Sequence, residues 1–88
     1  MGSRRNNLRI IADILRIAKG GANKTRIVYR ANLNFKLLND YIKELERARL
    51  VEVDHSKRGE IRTTEKGAEF LNNFTNLMNM MNHSVSYR

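Results

Sequence analysis

The spacing of hydrophobic residues divides the chain into a helical part, a short β part and a final helix. From residue 8 to residue 49 apolar side chains recur at three- and four-residue steps, as on one face of a helix. In residues 50–54 and 60–63 they alternate with polar residues, as in strands with one buried face. The helical spacing returns after residue 64. The pattern therefore predicts a mainly α protein with a β-hairpin.

The first predicted helix runs from Leu8 to Lys19 and ends at Gly20-Gly21. Its apolar stripe contains Leu8, Ile11, Ile14, Leu15 and Ala18, and Ile10 and Ile17 widen it. Residues 1–7 form a basic N-terminal arm. We expect this arm to be disordered on its own and able to lie along a phosphate backbone.

A second helix over residues 23–31 and a third over residues 34–48 follow, separated by about three residues. Asn23 and Asn34 are the expected N-caps, because an Asn side chain accepts from free amides of the first turn. The inward residues are Ile27, Val28 and Ala31 in the second helix, and Phe35, Leu38, Tyr41, Ile42 and Leu45 in the third. Two helices joined by so short a turn match a helix-turn-helix.

The outward face of the third helix carries amide and charged side chains. They are Lys36, Asn39, Asp40, Lys43 and Arg47. Asn can pair with adenine through two hydrogen bonds, and Lys can reach guanine or phosphate. We interpret this face as that of a DNA recognition helix. The same residues also fit an ordinary solvated face, so the interpretation depends on the rest of the chain.

The alternating segments, residues 50–54 and 60–63, predict two strands joined by a polar loop. In the loop, Gly59 is placed to accept positive φ, and Lys57 and Arg58 lie at the tip. The order of helices, hairpin and final helix is that of a winged helix-turn-helix with an added C-terminal helix. We expect the winged-helix domain to span residues 8–69.

The final helix begins after Thr64, a predicted N-cap, and has no charged side chain between residues 70 and 87. Its apolar stripe extends beyond what the domain's own core needs. We therefore expect residues 70–88 to form a dimer interface through Phe74, Leu77, Met78 and Met81. The alternative is that these residues belong to the core or to a frayed tail.

The distribution of charge along the chain bears most strongly on the proposed DNA-binding role. The net charge of the 88 residues is +8. Residues 1–50 hold 12 Lys and Arg against 4 Asp and Glu, whereas residues 51–88 hold 5 of each. A basic surface confined to one part of the molecule is typical of proteins that bind a phosphate backbone. A membrane-surface adaptor would also be basic, but it would need an apolar insertion face beside the basic cluster.

Composition argues against other classes of function. The chain has no cysteine, no apolar run long enough to span a bilayer and no signal-peptide pattern at its start, which predicts a cytoplasmic, nucleoid-associated protein. His55 and His83 lie far apart in sequence and lack further metal ligands at suitable spacing, and Gly20-Gly21 does not match a phosphate loop. We therefore expect no enzyme, no catalytic residues, no cofactor and no metal. Three scattered tyrosines also argue against single-strand or RNA binding.

Several short runs resemble one family in particular. They are Lys24-Thr25-Arg26-Ile27-Val28-Tyr29, Ala31-Asn32-Leu33-Asn34, Tyr41-Ile42-Lys43, Leu50-Val51 and Thr64-Glu65-Lys66-Gly67. They look like those of the small basic archaeal winged-helix DNA-binding proteins. The resemblance implies binding of double-stranded DNA, as a chromatin-associated protein or transcription regulator, and dimerisation through a long C-terminal helix. Here the last helix is rich in Asn and Met without charged heptads, so we expect a short helix that dimerises without an extended antiparallel rod.

From these features the sequence predicts a dimeric transcription regulator with a preferred DNA sequence. Base contacts are expected from Asn34, Lys36, Asn39 and Lys43, with Asp40 accepting from a cytosine amino group or holding a neighbouring Lys. Phosphate contacts are expected from Lys24, Arg26 and Arg30, and contacts with the flanking minor groove or its phosphates from Lys57 and Arg58. Non-specific architectural binding and a winged helix used for protein assembly are the alternatives.

Overall fold

The computed structural model describes residues 4–86, and within them the side chains of residues 7–56 and 58–82. The elements in order are α1 (Arg4–Ile17), α2 (Lys24–Ala31), α3 (Phe35–Arg47), β1 (Val51–Asp54), β2 (Glu60–Thr63) and α4 (Glu65–Ser86). A 3-10 turn, His55–Lys57, joins the two strands. This order confirms the predicted winged helix-turn-helix with an added C-terminal helix.

The core forms where the three N-terminal helices meet the hairpin and the start of α4. Its fully buried side chains include Ile14 and Leu15 of α1, Ile27 of α2, Leu38 of α3 and Ile61 of β2. From α4, the partly buried Phe70 packs against this core. These contacts hold α2 and α3 in a fixed relation to the hairpin, as a helix-turn-helix with a wing requires.

The first helix is longer than the sequence predicts, and its apolar stripe is not buried throughout. It begins at Arg4, so part of the expected arm is helical, while residues 1–3 lie outside the described residues. Leu8 was expected inside, yet 45% of its surface is exposed, whereas Ala12 is fully buried. Periodicity gives the orientation of a residue on a helix but not the point at which the core ends.

The start of α1 is joined to α3 by a side-chain hydrogen bond. The Tyr41 hydroxyl donates to Asn7 Oδ1 at 2.7 Å. Burial raises the pKa of Tyr41 above its ordinary value of 10.0. The hydrogen bond helps to position α3 against α1.

Both predicted caps in the helix-turn-helix are confirmed. Asn23 Oδ1 accepts from the Arg26 amide at 2.8 Å, and Asn34 Oδ1 accepts from the Leu37 amide at 2.7 Å. Between the two helices, Asn32 ends α2 in the left-handed conformation, with a φ of 58°. The chain thus turns from α2 into α3 within three residues.

Phe35 is a correction to the predicted inward face of α3. Leu38, Ile42 and Leu45 are buried, but half of the Phe35 surface, 50%, is exposed. At 100° per residue, Phe35 lies about 60° around the helix from Leu38 and about 20° from Ile42, so its direction on the helix does not account for its exposure. Phe35 is the first residue of the helix, and the buried residues of α3 begin one turn later.

The hairpin pairs in the predicted register, with Val53 opposite Ile61 and Glu52 opposite Arg62. Ile61 also exchanges two backbone hydrogen bonds with Ala22, each 2.8 Å long. This bridge attaches the hairpin to the segment just before α2, so the position of the wing is linked to the helix-turn-helix.

The Thr64-Glu65-Lys66-Gly67 motif is hydrogen-bonded to the segment that follows α3. Thr64 Oγ1 donates to the Arg49 carbonyl at 2.7 Å, and Lys66 Nζ donates to the Ala48 carbonyl at 2.9 Å. Thr64 Oγ1 in turn accepts from the Gly67 amide at 3.0 Å, which confirms it as the N-cap of α4. The end of the recognition helix and the start of α4 are therefore joined directly.

The last helix is not short, so that prediction is wrong. The 22 residues of α4 make it the longest helix in the described part of the chain. No Gly or Pro occurs between residues 68 and 88 to break it, and Met is a good helix former, so the absence of charged heptads does not limit its length. Residues 70–86 continue the helix that begins at Glu65, and the dimerising role assigned to them stays a prediction.

Candidate nucleic-acid interface

The outward face of α3 is basic and accessible. Lys36, Asp40, Lys43 and Arg47 follow one another at three- and four-residue steps, and all four are exposed. Three of these side chains are cationic. The predicted face is thus accessible along the whole length of the helix. Asp40 is the carboxylate among these four residues, and Glu44 and Glu46 are also exposed on α3.

Asn34 has fewer free hydrogen-bonding groups for a base contact than its residue type suggests. Its Oδ1 is already held by the Leu37 amide in the N-cap. The Nδ2 group is the part of this side chain that remains to donate outward. A paired acceptor-and-donor contact with adenine would require Asn34 Oδ1 to accept a second hydrogen bond while it caps the helix.

Asn39 lies at the edge of the outward face rather than at its centre. The residue is partly buried, and its Oδ1 is shielded from solvent with no hydrogen-bond partner among the described residues. A bidentate contact with adenine needs both the oxygen and the nitrogen of the amide at the surface. The side chain would have to rotate before it could read a base in this way.

Helix α2 presents a second basic surface. Arg26 and Arg30 are exposed, while Lys24 is partly buried. Between the two arginines, Tyr29 is 85% exposed. Tyr29 is not among the predicted contacts, although its position opposite Ile27 and Ala31 on the helical wheel would have indicated an outward ring. Its hydroxyl is a hydrogen-bond donor suited to phosphate oxygens.

The tip of the hairpin is held in a fixed conformation. Asp54 Oδ1 accepts from the Ser56 hydroxyl at 2.6 Å and from the Ser56 amide at 3.1 Å. Arg58 follows in the left-handed conformation with a φ of 59°, and its side chain is exposed. Lys57, the other predicted wing contact, has a side chain outside the described ones.

Behind the tip the hairpin is acidic. An open pocket of about 540 Å³ is lined by four carboxylates, Glu46, Glu52, Asp54 and Glu60, and two guanidinium groups, Arg49 and Arg62. Arg62 Nη2 lies 3.7 Å from Glu60 Oε1, so the charge of Arg62 is partly compensated. The basic character of the wing is therefore concentrated at its tip, and this pocket does not suit a phosphate backbone.

The four residues predicted to form a dimer interface do not share one surface. Leu77 and Met81 are more than half exposed, as is Met80, which the prediction omits. Phe74 and Met78 are partly buried and line a groove of about 200 Å³ beside Arg9 and Arg16 of α1. Among the described side chains of α4, the large apolar ones that are exposed are Leu77, Met80 and Met81, which we call the α4 patch.

Within the part of the chain that the structure describes, no three His, Cys, Asp or Glu side chains approach one another closely enough to hold a metal ion. None of the described helices combines the length and the hydropathy that a membrane span requires.

A helix-turn-helix followed by a hairpin wing, with an accessible cationic face on its second helix, defines the class of winged helix-turn-helix proteins. A model of the winged helix-turn-helix family matches residues 4–82, and the chain belongs to that family. Among curated proteins, none has a sequence that matches this chain.

One solved structure gives an independent comparison of the fold. It is that of Sso10a-2, a DNA-binding protein from Sulfolobus solfataricus, and it superposes with a TM-score of 0.81. The alignment covers 91% of this chain and 85% of that protein, at 22% sequence identity. The two proteins therefore share a fold over nearly their whole lengths, as the resemblance to small archaeal winged-helix proteins implies.

Proposed function

We propose that this protein binds double-stranded DNA as a homodimer and acts as a transcription regulator with a preferred sequence. In this proposal α3 enters the major groove, and the tip of the hairpin contacts the flanking backbone or minor groove. The observation that carries it is the exposed cationic face of α3, beside the exposed arginines of α2, in a winged helix-turn-helix. The description of Sso10a-2 as a DNA-binding protein supports the same conclusion.

The exposed side chains divide into two roles. Lys36 and Lys43 on α3 are the candidates for contacts with base edges, because the recognition helix is the element that enters the groove. Arg26 and Arg30 on α2, with Arg58 at the wing tip, are candidates for phosphate contacts. Phosphate contacts fix the register of the protein on the duplex and carry no sequence information themselves.

The dimer in this proposal is supported by the α4 patch. Three large apolar side chains more than half exposed at one end of a helix are a surface that a second copy can cover. A twofold axis would bring two patches together and present two recognition helices to two half-sites. The cellular location that follows from this role is the nucleoid.

The test of DNA binding is a titration of fluorescent duplexes at increasing salt. If the basic face grips phosphates, the logarithm of the affinity falls linearly with the logarithm of the salt concentration, by about 0.9 per phosphate contacted. Failure to bind duplex DNA at low salt, or binding that salt leaves unchanged, would instead favour the protein-assembly alternative.

Sequence preference is tested by comparing a site selected from random DNA with an unrelated duplex. Lys36→Ala and Lys43→Ala should each cost about 1–3 kcal/mol on the selected site and much less on the unrelated one, if these residues contact bases. Equal losses on both duplexes would make the protein a non-specific architectural binder. That outcome would remove the regulatory role but keep DNA binding.

A further inference from the structure

Most of the large hydrophobic side chains that the described part of the chain leaves exposed lie in groups. Of the seven, Leu8 lies alone on α1, three form the α4 patch, and three lie on the helix-turn-helix: Tyr29, Phe35 and Leu37. Isolated apolar residues on a surface need no explanation, but a group on the face that is proposed to meet a ligand does. Of this second group, Phe35 has the position that bears on DNA recognition.

Phe35 lies in the same row of α3 as two residues already considered for base contacts. Phe35, Asn39 and Lys43 are spaced four residues apart, and side chains at this spacing lie above one another on a helix. Phe35 is also the first residue of α3 and precedes the exposed Lys36. The N-terminal residues of a recognition helix are those closest to base edges.

About half of the surface of Phe35 is exposed, and in the proposed complex this residue would face the major groove among amide and ammonium groups. The neighbouring polar side chains can form hydrogen bonds with the edges of the bases, whereas a phenyl ring cannot. In the major groove, the C5 methyl group of thymine is the apolar group that distinguishes one base pair from the others. A phenyl ring is a suitable partner for it, because the contact removes apolar surface of both from water.

We propose that Phe35 contacts thymine methyl groups in the major groove and so makes the protein prefer sites with thymine at that position. The proposal rests on the proposed DNA-binding function and deepens it, since it assigns a base type to one position of the recognition helix. It also gives α3 a base-reading contact that does not depend on Asn34, whose Oδ1 is engaged in the cap.

The size of the effect follows from the group that is buried. Covering one methyl-sized group contributes about 0.8 kcal/mol, which corresponds to about a fourfold change in affinity at 1.36 kcal/mol per factor of ten. An effect of this size is measurable by anisotropy titration.

The test removes the methyl group from the DNA rather than the ring from the protein. The wild-type protein is titrated with an alternating A·T duplex of about two turns, roughly 21 base pairs, and with the same duplex containing deoxyuridine in place of thymidine. Uracil keeps every hydrogen-bonding group of thymine and lacks only the methyl. We expect the wild type to bind the uracil duplex at least about fourfold more weakly.

Two variants show whether Phe35 is the residue responsible. Phe35→Ala should bind both duplexes with equal affinity, because the ring that distinguishes them is gone. Leu37→Ala is the matched control: it removes an exposed apolar side chain, 38% exposed, from the same helical turn but outside the row of Phe35. It should keep the preference for thymine. Thermal melting establishes that each variant is folded before it is titrated.

The outcomes separate this inference from the proposed function. If the wild type binds neither duplex at low salt, the proposed function itself is wrong. If it binds both duplexes equally well, DNA binding stands and the methyl contact is wrong. If Phe35→Ala is folded and still prefers thymine, another residue or the shape of the duplex makes the distinction, and the assignment to Phe35 is overturned.

Discussion

At residue 67 the backbone of α4 comes so close to the residue before β1 and to the end of β2 that no side chain fits. A Cβ atom at Gly67 would overlap with the Leu50 carbonyl and would lie 2.8 Å from Thr63 Cγ2. These are a backbone atom and a packed methyl group of neighbouring elements, and neither can move aside cheaply. The glycine of the Thr-x-Lys-Gly motif is therefore required by packing.

The first prediction at this scale is that Gly67→Ala destabilises the fold. We expect a loss of about 1–3 kcal/mol, typical of overpacking, and a fall in Tm of several degrees. Helix propensity alone would favour alanine, so the sign of the change separates the two effects. Asn76→Ala, at an exposed position of the same helix, is the control and should leave Tm nearly unchanged. A Gly67→Ala variant as stable as the wild type would contradict the packing argument.

Single residues were predictable from sequence where their role is local. Asn23, Asn34 and Thr64 cap helices by bonding to amides within their own first turn, so residue type and position suffice to recognise them. Phe35 and Leu8 were assigned to the buried faces and are about half exposed. Their burial depends on where neighbouring elements end, and helical periodicity does not contain that information.

At the scale of elements, the hairpin combines a basic tip with acidic strands. Its boundaries were predictable to within a residue, because alternation and a glycine-containing loop are local signals. The distribution of its charge was not evident, since the pocket behind it also receives Glu46 from the end of α3 and Arg49 from the turn that follows. In such a wing, the tip is the part whose charge suits contact with phosphate.

The prediction for the wing concerns Arg58. Arg58→Asn removes the charge and suits the backbone, because Asn tolerates the left-handed conformation better than most residues. We expect weaker binding to all duplexes alike and a salt dependence that is lower by about one phosphate contact, roughly 0.9 in the logarithmic slope. Tm should stay the same or rise slightly.

Arg49→Asn provides a matched control for this substitution. Arg49 is also exposed, also has a positive φ, of 66°, and carries the same charge, but it borders the acidic pocket. Removing it changes the net charge by the same amount, so an effect of overall charge would be equal in both variants. If the two variants lower the salt slope equally, the wing tip makes no phosphate contact of its own.

At the scale of the whole molecule, the long final helix gives the protein its elongated shape, 50 × 27 × 21 Å. The presence of this helix was predictable from the apolar stripe, but its length was underestimated. The expected dimer interface was also only partly recognisable, because Phe74 and Met78 turn towards α1 and Met80 joins Leu77 and Met81 at the surface. The packing of α1 determines which side of the uncharged part of α4 faces its own domain.

The last prediction is that the α4 patch holds two copies of the chain together. Leu77→Glu combined with Met81→Glu should give a folded monomer, because each patch would meet its copy across a twofold axis and bring like charges together in an apolar interface. Sedimentation velocity of wild type and variant measures the oligomeric state. DNA binding should weaken as well, since a monomer presents one recognition helix, whereas a dimer presents two to half-sites about 34–36 Å apart.

Asn72→Glu combined with Asn76→Glu is the control for added charge. These residues are exposed, have the same four-residue spacing and lie on the same helix, but they are outside the α4 patch. This variant should sediment like the wild type, and any loss of DNA affinity that it shows measures the repulsion between added carboxylates and phosphate. The decisive comparison is therefore the loss of affinity in the patch variant beyond that of the control. A wild type that sediments as a monomer at roughly tens of micromolar, where an association energy near 6 kcal/mol would already be visible, would show that the α4 patch does not dimerise.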